Sequence, residues 1–251
     1  MHSKLANFKE KLQNQSVLGC FSKTTDSSLV EAMGYAGMDF VILDMEHGPI
    51  GTETLKHHVM AAASTDMLGI VRVENYSSEN IGKALDLGAH GIQIPSVSTK
   101  EQAVEAVKRA KFFPKGERGV CRFVKAADYS NLPSKTYFGQ ANEALLIIQL
   151  EGKEGLAAFD QIIEVEGVDI VFIGPYDLSQ SLGVPGEIQH PTVINAMESL
   201  IKKAKIKGIM LGTFCDTPEL LKHWRGLGIN YLSYGVDIAL FMESLKQLRK
   251  I

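Results

Sequence analysis

Short apolar stretches rich in β-branched residues alternate with helix-patterned segments along the whole chain. Their nearly continuous apolar character is typical of strands that are buried on both faces of a parallel sheet. The predicted strands are Val17–Phe21, Phe40–Leu43, Gly69–Val73, Gly91–Ile94, Leu145–Gln149, Ile170–Ile173, Gly208–Leu211 and Tyr231–Ser233. The predicted helices are Ser28–Ala36, Glu53–Ser64, Glu79–Leu87, Lys100–Ala110, Gly155–Ile163, Thr192–Ile206, Pro218–Leu227 and Ile238–Leu248.

Eight strand-then-helix units within 251 residues predict an α/β fold of the (β/α)8 TIM-barrel type. A doubly wound open sheet remains an alternative, because the pattern alone does not exclude it. We expect one domain over residues 1–251, since no linker-like change of composition divides the chain. One segment, Phe112–Asn142, lacks a clear strand or long helix, and a loop of this length predicts a lid or a binding loop.

Composition excludes several classes of protein. The chain is 45% apolar and 22% charged, which argues against disorder, and its net charge of -3 gives no field that would attract nucleic acid or an anionic membrane. No apolar run approaches the roughly 20 residues of a membrane span, and the N-terminus lacks a signal-peptide core. Three cysteines without a close pair argue against a disulfide framework or a cysteine zinc site, so we expect a cytoplasmic protein.

Polar residues follow several of the predicted strands, at the edge where the catalytic residues of a (β/α)8 barrel lie. They are Asp44, Glu46 and His47 after the second strand, Arg72 in the third, Ser96 after the fourth, Gln149 and Glu151 after the fifth, Tyr176 and Asp177 after the sixth, and Thr213 after the seventh. We therefore expect these side chains to converge at one end of the barrel.

Glu151 and Asp177 follow neighbouring strands and offer two carboxylates with no cysteine nearby. Such a pair suits a hard divalent ion that keeps some of its waters, such as Mg²⁺ or Mn²⁺. The alternative for each residue alone is a structural role, with Glu151 capping a helix and Asp177 standing at a helix start, where acidic residues are favoured. The pairing at adjacent strand ends favours the metal interpretation.

His47 and Arg72 each admit two interpretations. His47 lies at a strand end close to Asp44 and is either an oriented general base or a loop histidine bonded to backbone. Arg72 is flanked by two valines and pairs either with an internal carboxylate or with an anionic substrate, because a buried guanidinium needs an anion. No lysine lies inside the fifth, sixth or seventh strand, which disfavours Schiff-base chemistry.

Several motifs, in this order and spacing, resemble the HpcH/HpaI aldolase family of metal-dependent pyruvate aldolases over nearly the whole chain. The motifs are Asp44-Met45-Glu46-His47-Gly48, Val71-Arg72-Val73, Leu87-Gly88-Ala89-His90-Gly91-Ile92-Gln93-Ile94-Pro95, Phe113-Pro114-Lys115-Gly116-Glu117-Arg118-Gly119-Val120, Gln149-Leu150-Glu151, Phe172-Ile173-Gly174-Pro175-Tyr176-Asp177-Leu178-Ser179 and Gln189-His190-Pro191. The resemblance implies a barrel of the phosphoenolpyruvate/pyruvate-binding type. It also implies a divalent cation cofactor, Mg²⁺, Mn²⁺ or Co²⁺.

The same resemblance assigns roles to site residues. Glu151 and Asp177 are the implied metal ligands, while Arg72, Gln149, Asp177 and the backbone around Tyr176 are the implied substrate-binding groups. His47 is the implied catalytic base, and the implied role of Asp86 is to increase the basicity of His47. The family also implies that the terminal helix, about residues 236–249, packs on a neighbouring subunit of a homo-oligomer, usually a hexamer.

The predicted function is that of a carbon–carbon lyase that reversibly cleaves a 4-hydroxy-2-oxo acid to pyruvate and an aldehyde. One alternative is a related lyase, decarboxylase or condensing enzyme that acts on oxaloacetate, phosphoenolpyruvate or an acyl-CoA hydroxy acid. Another is a barrel retained as a binding protein without activity. Loss of a metal carboxylate, of Arg72 or of His47 would be the mark of that last alternative, and all of them are present.

Overall fold

Eight parallel strands close into a barrel in the computed structural model, which describes residues 2–251. The order of strands around the barrel follows the chain, and β8 pairs with β1. The strands are β1 (Val17–Ser22), β2 (Phe40–Asp44), β3 (Leu68–Arg72), β4 (Gly91–Ile94), β5 (Leu145–Leu150), β6 (Ile170–Ile173), β7 (Met210–Cys215) and β8 (Tyr231–Val236). The predicted (β/α)8 barrel is confirmed, and the open-sheet alternative is wrong.

Helices link the strands. They are α1 (His2–Asn14), α2 (Ser27–Tyr35), α3 (Thr52–Ser64), α4 (Asn80–Asp86), α5 (Lys100–Ala110), α6 (Ser134–Ala141), α7 (Lys153–Ala157), α8 (Phe159–Ile162), α9 (Pro175–Ser181), α10 (Pro191–Lys207), α11 (Pro218–Gly226) and α12 (Asp237–Leu248). Within residues 2–251, no helix combines the length and apolarity needed to cross a membrane.

Several predictions of secondary structure differ from the structure. The seventh strand begins at Met210 rather than Gly208, because Gly208 takes a left-handed conformation with a φ of 70° and ends α10. The predicted helix Gly155–Ile163 is two short helices, α7 and α8. Helices α1, α6 and α9 were not among the predicted helices.

Alternate residues of the strands point into the barrel and fill it. On β2 and β3 these residues are Phe40, Ile42, Leu68 and Ile70, which are all buried in the inner core. Because side chains alternate along a strand, the next inward positions after Ile42 and Ile70 are two residues further on, at the carboxyl end. Those two positions hold Asp44 and Arg72. The alternation of side chains along the strands therefore places a carboxylate and a guanidinium at the carboxyl ends of the strands, which we call the rim of the barrel.

The long segment Phe112–Asn142 lies at the opposite end of the barrel. It connects α5 to the start of β5, and it contains a short 3-10 helix, Lys125–Ser130, and α6. Its residues Lys125 and Asp128 line a cavity with Lys4 and His90, which directly precedes β4. The segment predicted as a lid or a binding loop therefore lies away from the strand carboxyl ends, because it joins β5 at its amino end.

Candidate active site

A cavity of about 340 Å³ opens at the carboxyl ends of the strands. It brings together five of the residues predicted from the sequence with a wall of mostly apolar side chains. Its lining residues are Phe21, Lys23, His47, Arg72, Gln149, Phe172, Gly174, Pro175, Tyr176, Asp177, Phe214 and Val236. The lining therefore combines charged side chains with aromatic ones.

Arg72 is held by two carboxylates from the end of β2. Asp44 is its strand partner in the β2–β3 register, and the two side chains form a bidentate pair. On its other side, Nη1 of Arg72 lies 3.0 Å from Oε2 of Glu46, in an ion pair that lacks hydrogen-bond geometry. The internal pair expected for Arg72 is present. Arg72 also lines the cavity, and its contact with a substrate anion stays a prediction.

The two carboxylates that flank Arg72 differ in their protonation. Burial of Asp44 opposes ionisation, but the hydrogen bonds and charge of Arg72 outweigh that effect and hold the pKa of Asp44 below its usual value. Burial raises the pKa of Glu46 to about 7; Arg72 opposes this rise, and the nearby carboxylates of Glu151, Asp44 and Asp177 add to it. Burial is thus the main reason that Glu46 holds its proton more tightly than Asp44 does.

His47 follows these carboxylates on the β2–α3 loop, and its side chain is 58% exposed. Its Nε2 lies 3.8 Å from Oε2 of Glu46, and the ring lines the cavity. Asp44 accepts the backbone N–H of His47 at 3.3 Å, so it orients the loop rather than the imidazole. The sequence interpretation took Asp44 as the acid near the imidazole, whereas in the structure the acid beside the ring is Glu46.

Glu151 is held by three hydrogen bonds below the cavity. Its Oε1 accepts the N–H of Ser96 at 2.6 Å and the hydroxyl of Ser96 at 2.7 Å, while Oε2 accepts from Nε2 of Gln149 at 2.6 Å. Gln93 in turn donates to the side-chain oxygen of Gln149. Glu151 does not cap α7, whose N-cap is Gly152 without a side-chain bond, so the capping alternative is wrong.

Helix α9 brings Asp177 to the same rim. The helix begins at Pro175, so Asp177 is its third residue and not its N-cap. A side chain at Gly174 would come within 2.9 Å of Oε2 of Glu151, so the glycine lets α9 approach Glu151 closely. The phenol of Tyr176 donates to Asp216 at 2.7 Å, and burial together with this bond raises the pKa of Tyr176 to about 12.

Asp86 lies away from this group. It is the last residue of α4, it forms an ion pair with Arg118, and it lines a separate surface cavity with that residue. Among residues 2–251, no hydrogen bond or ion pair links Asp86 to His47. A direct role for Asp86 at His47 thus requires a second copy of the chain.

Two polar residues of the site, Lys23 and Gln93, were not predicted from the sequence. Lys23 lines the cavity and places Nζ 3.3 Å from Oδ2 of Asp44, whereas Gln93 supports Gln149. Ser96, which the sequence did place at this end of the barrel, supports Glu151. Lys23 directly follows β1, so the strand-end rule that points to the other residues also points to it. Gln93 could have been predicted because it is a polar residue within the otherwise apolar strand β4.

The charges at the rim suit a divalent cation. Four carboxylates, those of Asp44, Glu46, Glu151 and Asp177, lie near two cationic side chains, Lys23 and Arg72, so ionised carboxylates outnumber the cations whether or not Glu46 is protonated. The described residues contain no cluster of three or more His, Cys, Asp or Glu side chains in metal-binding proximity. Two carboxylates plus water and substrate are the usual set for Mg²⁺, so Glu151 and Asp177 fit such an ion.

Comparison with known proteins places this chain among aldolases and related enzymes. The family model for HpcH/HpaI aldolase/citrate lyase matches residues 17–244. The 2-keto-3-deoxy-L-rhamnonate aldolase of Escherichia coli (strain K12) is 35% identical over 98% of this chain and 93% of its own length. An HpcH/HpaI aldolase/citrate lyase family protein from Burkholderia cenocepacia J2315 has a TM-score of 0.92 and 28% identity, over 97% of this chain and 98% of that one.

A solved citrate synthase, SbnG, is 31% identical with a TM-score of 0.87 and covers 96% of this chain and 95% of its own. The family match spans all eight strands and every residue of the rim described above. Both the sequence motifs and the barrel therefore lead to the same assignment. The chain belongs to the HpcH/HpaI aldolase/citrate lyase family, and it is a lyase of the aldolase class.

Proposed function

We propose that the protein reversibly cleaves a 4-hydroxy-2-oxo acid into pyruvate and an aldehyde with the help of a divalent cation. The observation that carries this proposal is the set of four carboxylates near Arg72 and Lys23, which outnumber these two cations at one end of the barrel. We assign Glu151 and Asp177 as the residues that would hold Mg²⁺, Mn²⁺ or Co²⁺. When bound, such an ion supplies a Lewis acid for the 2-oxo carboxylate of the substrate.

The pyruvate half of the substrate would lie between Arg72, Gln149 and α9. Gln149 offers an amide beside Glu151, and the N–H groups of Tyr176 and Asp177 belong to the first helical turn, which has no partners within the helix. Donors of this kind suit a carboxylate or a carbonyl oxygen. Asp177 is thus assigned both to the metal and to substrate binding.

His47 would start the cleavage by accepting the proton of the C4 hydroxyl. The C3–C4 bond then breaks, the aldehyde leaves, and the electron pair moves to the C2 oxygen as an enolate. The guanidinium of Arg72 stabilises that oxygen, because it is already fixed by Asp44 before charge develops. Protonation of the enolate at C3 then yields pyruvate.

In this proposal Asp86 can increase the basicity of His47 only across a subunit interface. Within one chain it pairs with Arg118, so an Asp86 that increases the basicity of His47 would come from a neighbouring subunit. Helix α12 supports assembly, because its apolar stripe Ile238, Phe241, Met242, Leu245 and Leu248 is between 47% and 65% exposed in the single chain. We propose a homo-oligomer, a hexamer by family resemblance, in which α12 packs on another subunit.

The location of the protein also remains a proposal. Cys20, Cys121 and Cys215 are all free thiols, which is the usual state in a reducing compartment. We therefore infer a cytoplasmic enzyme, with small-molecule substrates rather than nucleic acid or membrane lipid as partners.

A direct assay tests the proposal. The purified protein with Mg²⁺ or Mn²⁺ is offered several 4-hydroxy-2-oxo acids, 2-keto-3-deoxy-L-rhamnonate among them, and pyruvate release is measured with a coupled dehydrogenase. We expect metal-dependent release from at least one of them. Failure of all of them to release pyruvate would contradict the proposal.

A second candidate is a condensing enzyme or a decarboxylase, favoured by the 31% identity to a citrate synthase of the same fold. Oxaloacetate decarboxylation and condensation of oxaloacetate with an acyl-CoA are therefore assayed in parallel. Condensation without aldol cleavage would favour this second candidate.

A further inference from the structure

Asp237 joins the end of β1 to the start of α12. It is the first residue of α12, and its carboxylate is buried. Its Oδ2 accepts from the hydroxyl of Ser22 at 2.9 Å, and it also accepts the backbone N–H groups of Lys23 at 3.1 Å and of Thr24 at 3.2 Å. The hydroxyl of Thr24 adds a further bond at 3.1 Å. One carboxylate thus fixes three consecutive residues that lie 213 to 215 positions away in the sequence.

Lys23 carries this restraint into the cavity. Its backbone is held by both carboxylate oxygens of Asp237, and its Nζ lies 3.3 Å from Oδ2 of Asp44. That same Oδ2 accepts a hydrogen bond from Nη2 of Arg72 at 2.7 Å. Because Asp44 is fully buried and contacts both cations through Oδ2, a displacement of Lys23 would change the electrostatic surroundings of the Asp44–Arg72 pair.

We propose that Asp237 is a positioning residue for the enolate-forming step and that it acts through Lys23 on the Asp44–Arg72 pair. The inference rests on the proposed function, since it concerns the same reaction. If the carboxylate is lost, the end of β1 is no longer restrained, and Lys23 moves away from Asp44. Arg72 then loses part of its fixed orientation toward the substrate oxygen.

A simple capping role for Asp237 makes a different prediction. Asp237 does accept the N–H of Ile238 at 2.8 Å, as a residue at a helix start often does. If that bond were its main contribution, removing the carboxylate would weaken α12 and leave Lys23 in place. The bonds to Ser22, Lys23 and Thr24 outnumber it, and they all lie on the side of the active site.

The test compares Asp237→Asn, Lys23→Met and the double variant in the full-length protein with Mn²⁺. The measured rate is deuterium exchange at the methyl group of pyruvate, because this reaction needs the enolate but no aldehyde. We expect each single variant to lower kcat/KM by about 10- to 100-fold, in line with the cost of misplacing a group by about 1 Å. The double variant should be no slower than the slower single variant, because each single change already removes the contact between Lys23 and Asp44.

Glu243→Gln is the matched control, since Glu243 is exposed on the same helix and the change removes the same charge. Its exchange rate should equal that of the wild type. If Asp237→Asn fails to fold, Ser22→Ala combined with Thr24→Val removes the hydroxyl contacts and should also slow exchange. Losses that multiply in the double variant, or a wild-type rate in Asp237→Asn or in the hydroxyl variant, would overturn the proposal.

A crystal structure of Asp237→Asn, or of the hydroxyl variant in its place, separates this inference from the proposed function. We expect Lys23 Nζ to withdraw from Asp44, whatever reaction the wild type catalyses. An unchanged Lys23–Asp44 contact would reject the role of Asp237, even if pyruvate exchange is fast. Absence of exchange in the wild type with a displaced Lys23 would instead reject the enolate chemistry of the proposed function and keep only the finding that Asp237 positions Lys23.

Discussion

The guanidinium of Arg72 donates two hydrogen bonds to the carboxylate of Asp44, from Nε to Oδ1 at 2.9 Å and from Nη2 to Oδ2 at 2.7 Å. The two residues are partners in the β2–β3 register, so the barrel itself sets their separation. The guanidinium of Arg72 is thereby fixed with its Nη1 atom beside Glu46 and with the side chain at the cavity. Such a preorganised donor can stabilise a developing oxyanion without first having to reorient.

Arg72→Lys should lose most activity although it keeps the positive charge. A lysine cannot reproduce the two-point contact with Asp44, so its ammonium is not held toward the substrate oxygen. We expect kcat to fall by about 10²–10³-fold. The loss should extend to oxaloacetate decarboxylation and pyruvate proton exchange, since an enolate forms in each. Arg225→Lys, at an exposed position, is the control, and loss of aldol cleavage alone would contradict the assignment.

His47→Ala should separate two reactions of the same site. Removing a general base typically costs about 10²–10⁴-fold, and we expect this loss in aldol cleavage. Decarboxylation of oxaloacetate should suffer less, because that substrate has no hydroxyl proton to remove. Metal affinity, measured by calorimetry, should stay near the wild-type value. Wild-type cleavage by His47→Ala would show that the base is another group, and loss of metal would place His47 among the ligands.

Metal removal should abolish activity reversibly. Exhaustive chelation should leave no pyruvate release, and Mg²⁺, Mn²⁺ or Co²⁺ should restore it, because the rim offers carboxylates without a thiolate. Glu151→Gln should weaken metal binding at least tenfold, whereas Glu154→Gln, in the first turn of α7, should not. Borohydride treatment in the presence of pyruvate should label no lysine. A labelled lysine, or full activity after chelation, would contradict the metal mechanism.

Stability should fall on acidification partly through His90. Burial lowers the pKa of His90 from 6.5 to about 4, and its Nδ1 accepts the N–H of Gly69. The unfolded chain therefore binds a proton between pH 6.5 and 4 that the folded chain excludes, so stability present above pH 6.5 is lost as the pH falls. Between pH 7 and 5 the wild type should lose about 2 kcal/mol more of its unfolding free energy than His90→Gln.

Urea unfolding of both proteins at the two pH values measures this difference. Glutamine can still accept from Gly69, so the variant removes the titration and keeps the acceptor. His57→Gln is the control, because His57 is exposed on α3 and should leave the pH dependence unchanged. Parallel pH profiles for the wild type and His90→Gln would show that His90 does not titrate as its burial predicts.

Assembly should depend on the outer face of α12. Phe241 is 57% and Leu245 47% exposed in the single chain, so a double change to glutamate would place charges in the proposed interface. We expect Phe241→Glu with Leu245→Glu to shift the protein to smaller species in light scattering at micromolar concentration. Glu243→Gln should leave assembly unchanged. A wild-type monomer, or an unaltered oligomer in the double variant, would contradict the role given to α12.

Much of the fold was predictable because its signals are local. Continuous apolar runs such as Phe40–Leu43 and Ile170–Ile173 indicate buried parallel strands, and the structure confirms these two runs almost residue for residue. The strand-end rule then named His47, Arg72, Gln149, Glu151 and Asp177, and all of them lie in or beside one cavity. Run length and side-chain alternation are properties of neighbouring residues, so the sequence alone determines them.

Which partners these residues take was decided by tertiary structure. The sequence left an unspecified internal carboxylate or a substrate anion as the partner of Arg72, and the β2–β3 register selects Asp44. Closure of the barrel between β8 and β1 brings Asp237 to Lys23, a contact that no spacing in the sequence predicts. Local sequence patterns predict which side chains reach the rim. Strand register and barrel closure determine which of these side chains are in contact, because pairing between strands depends on the positions of segments that are distant in the sequence.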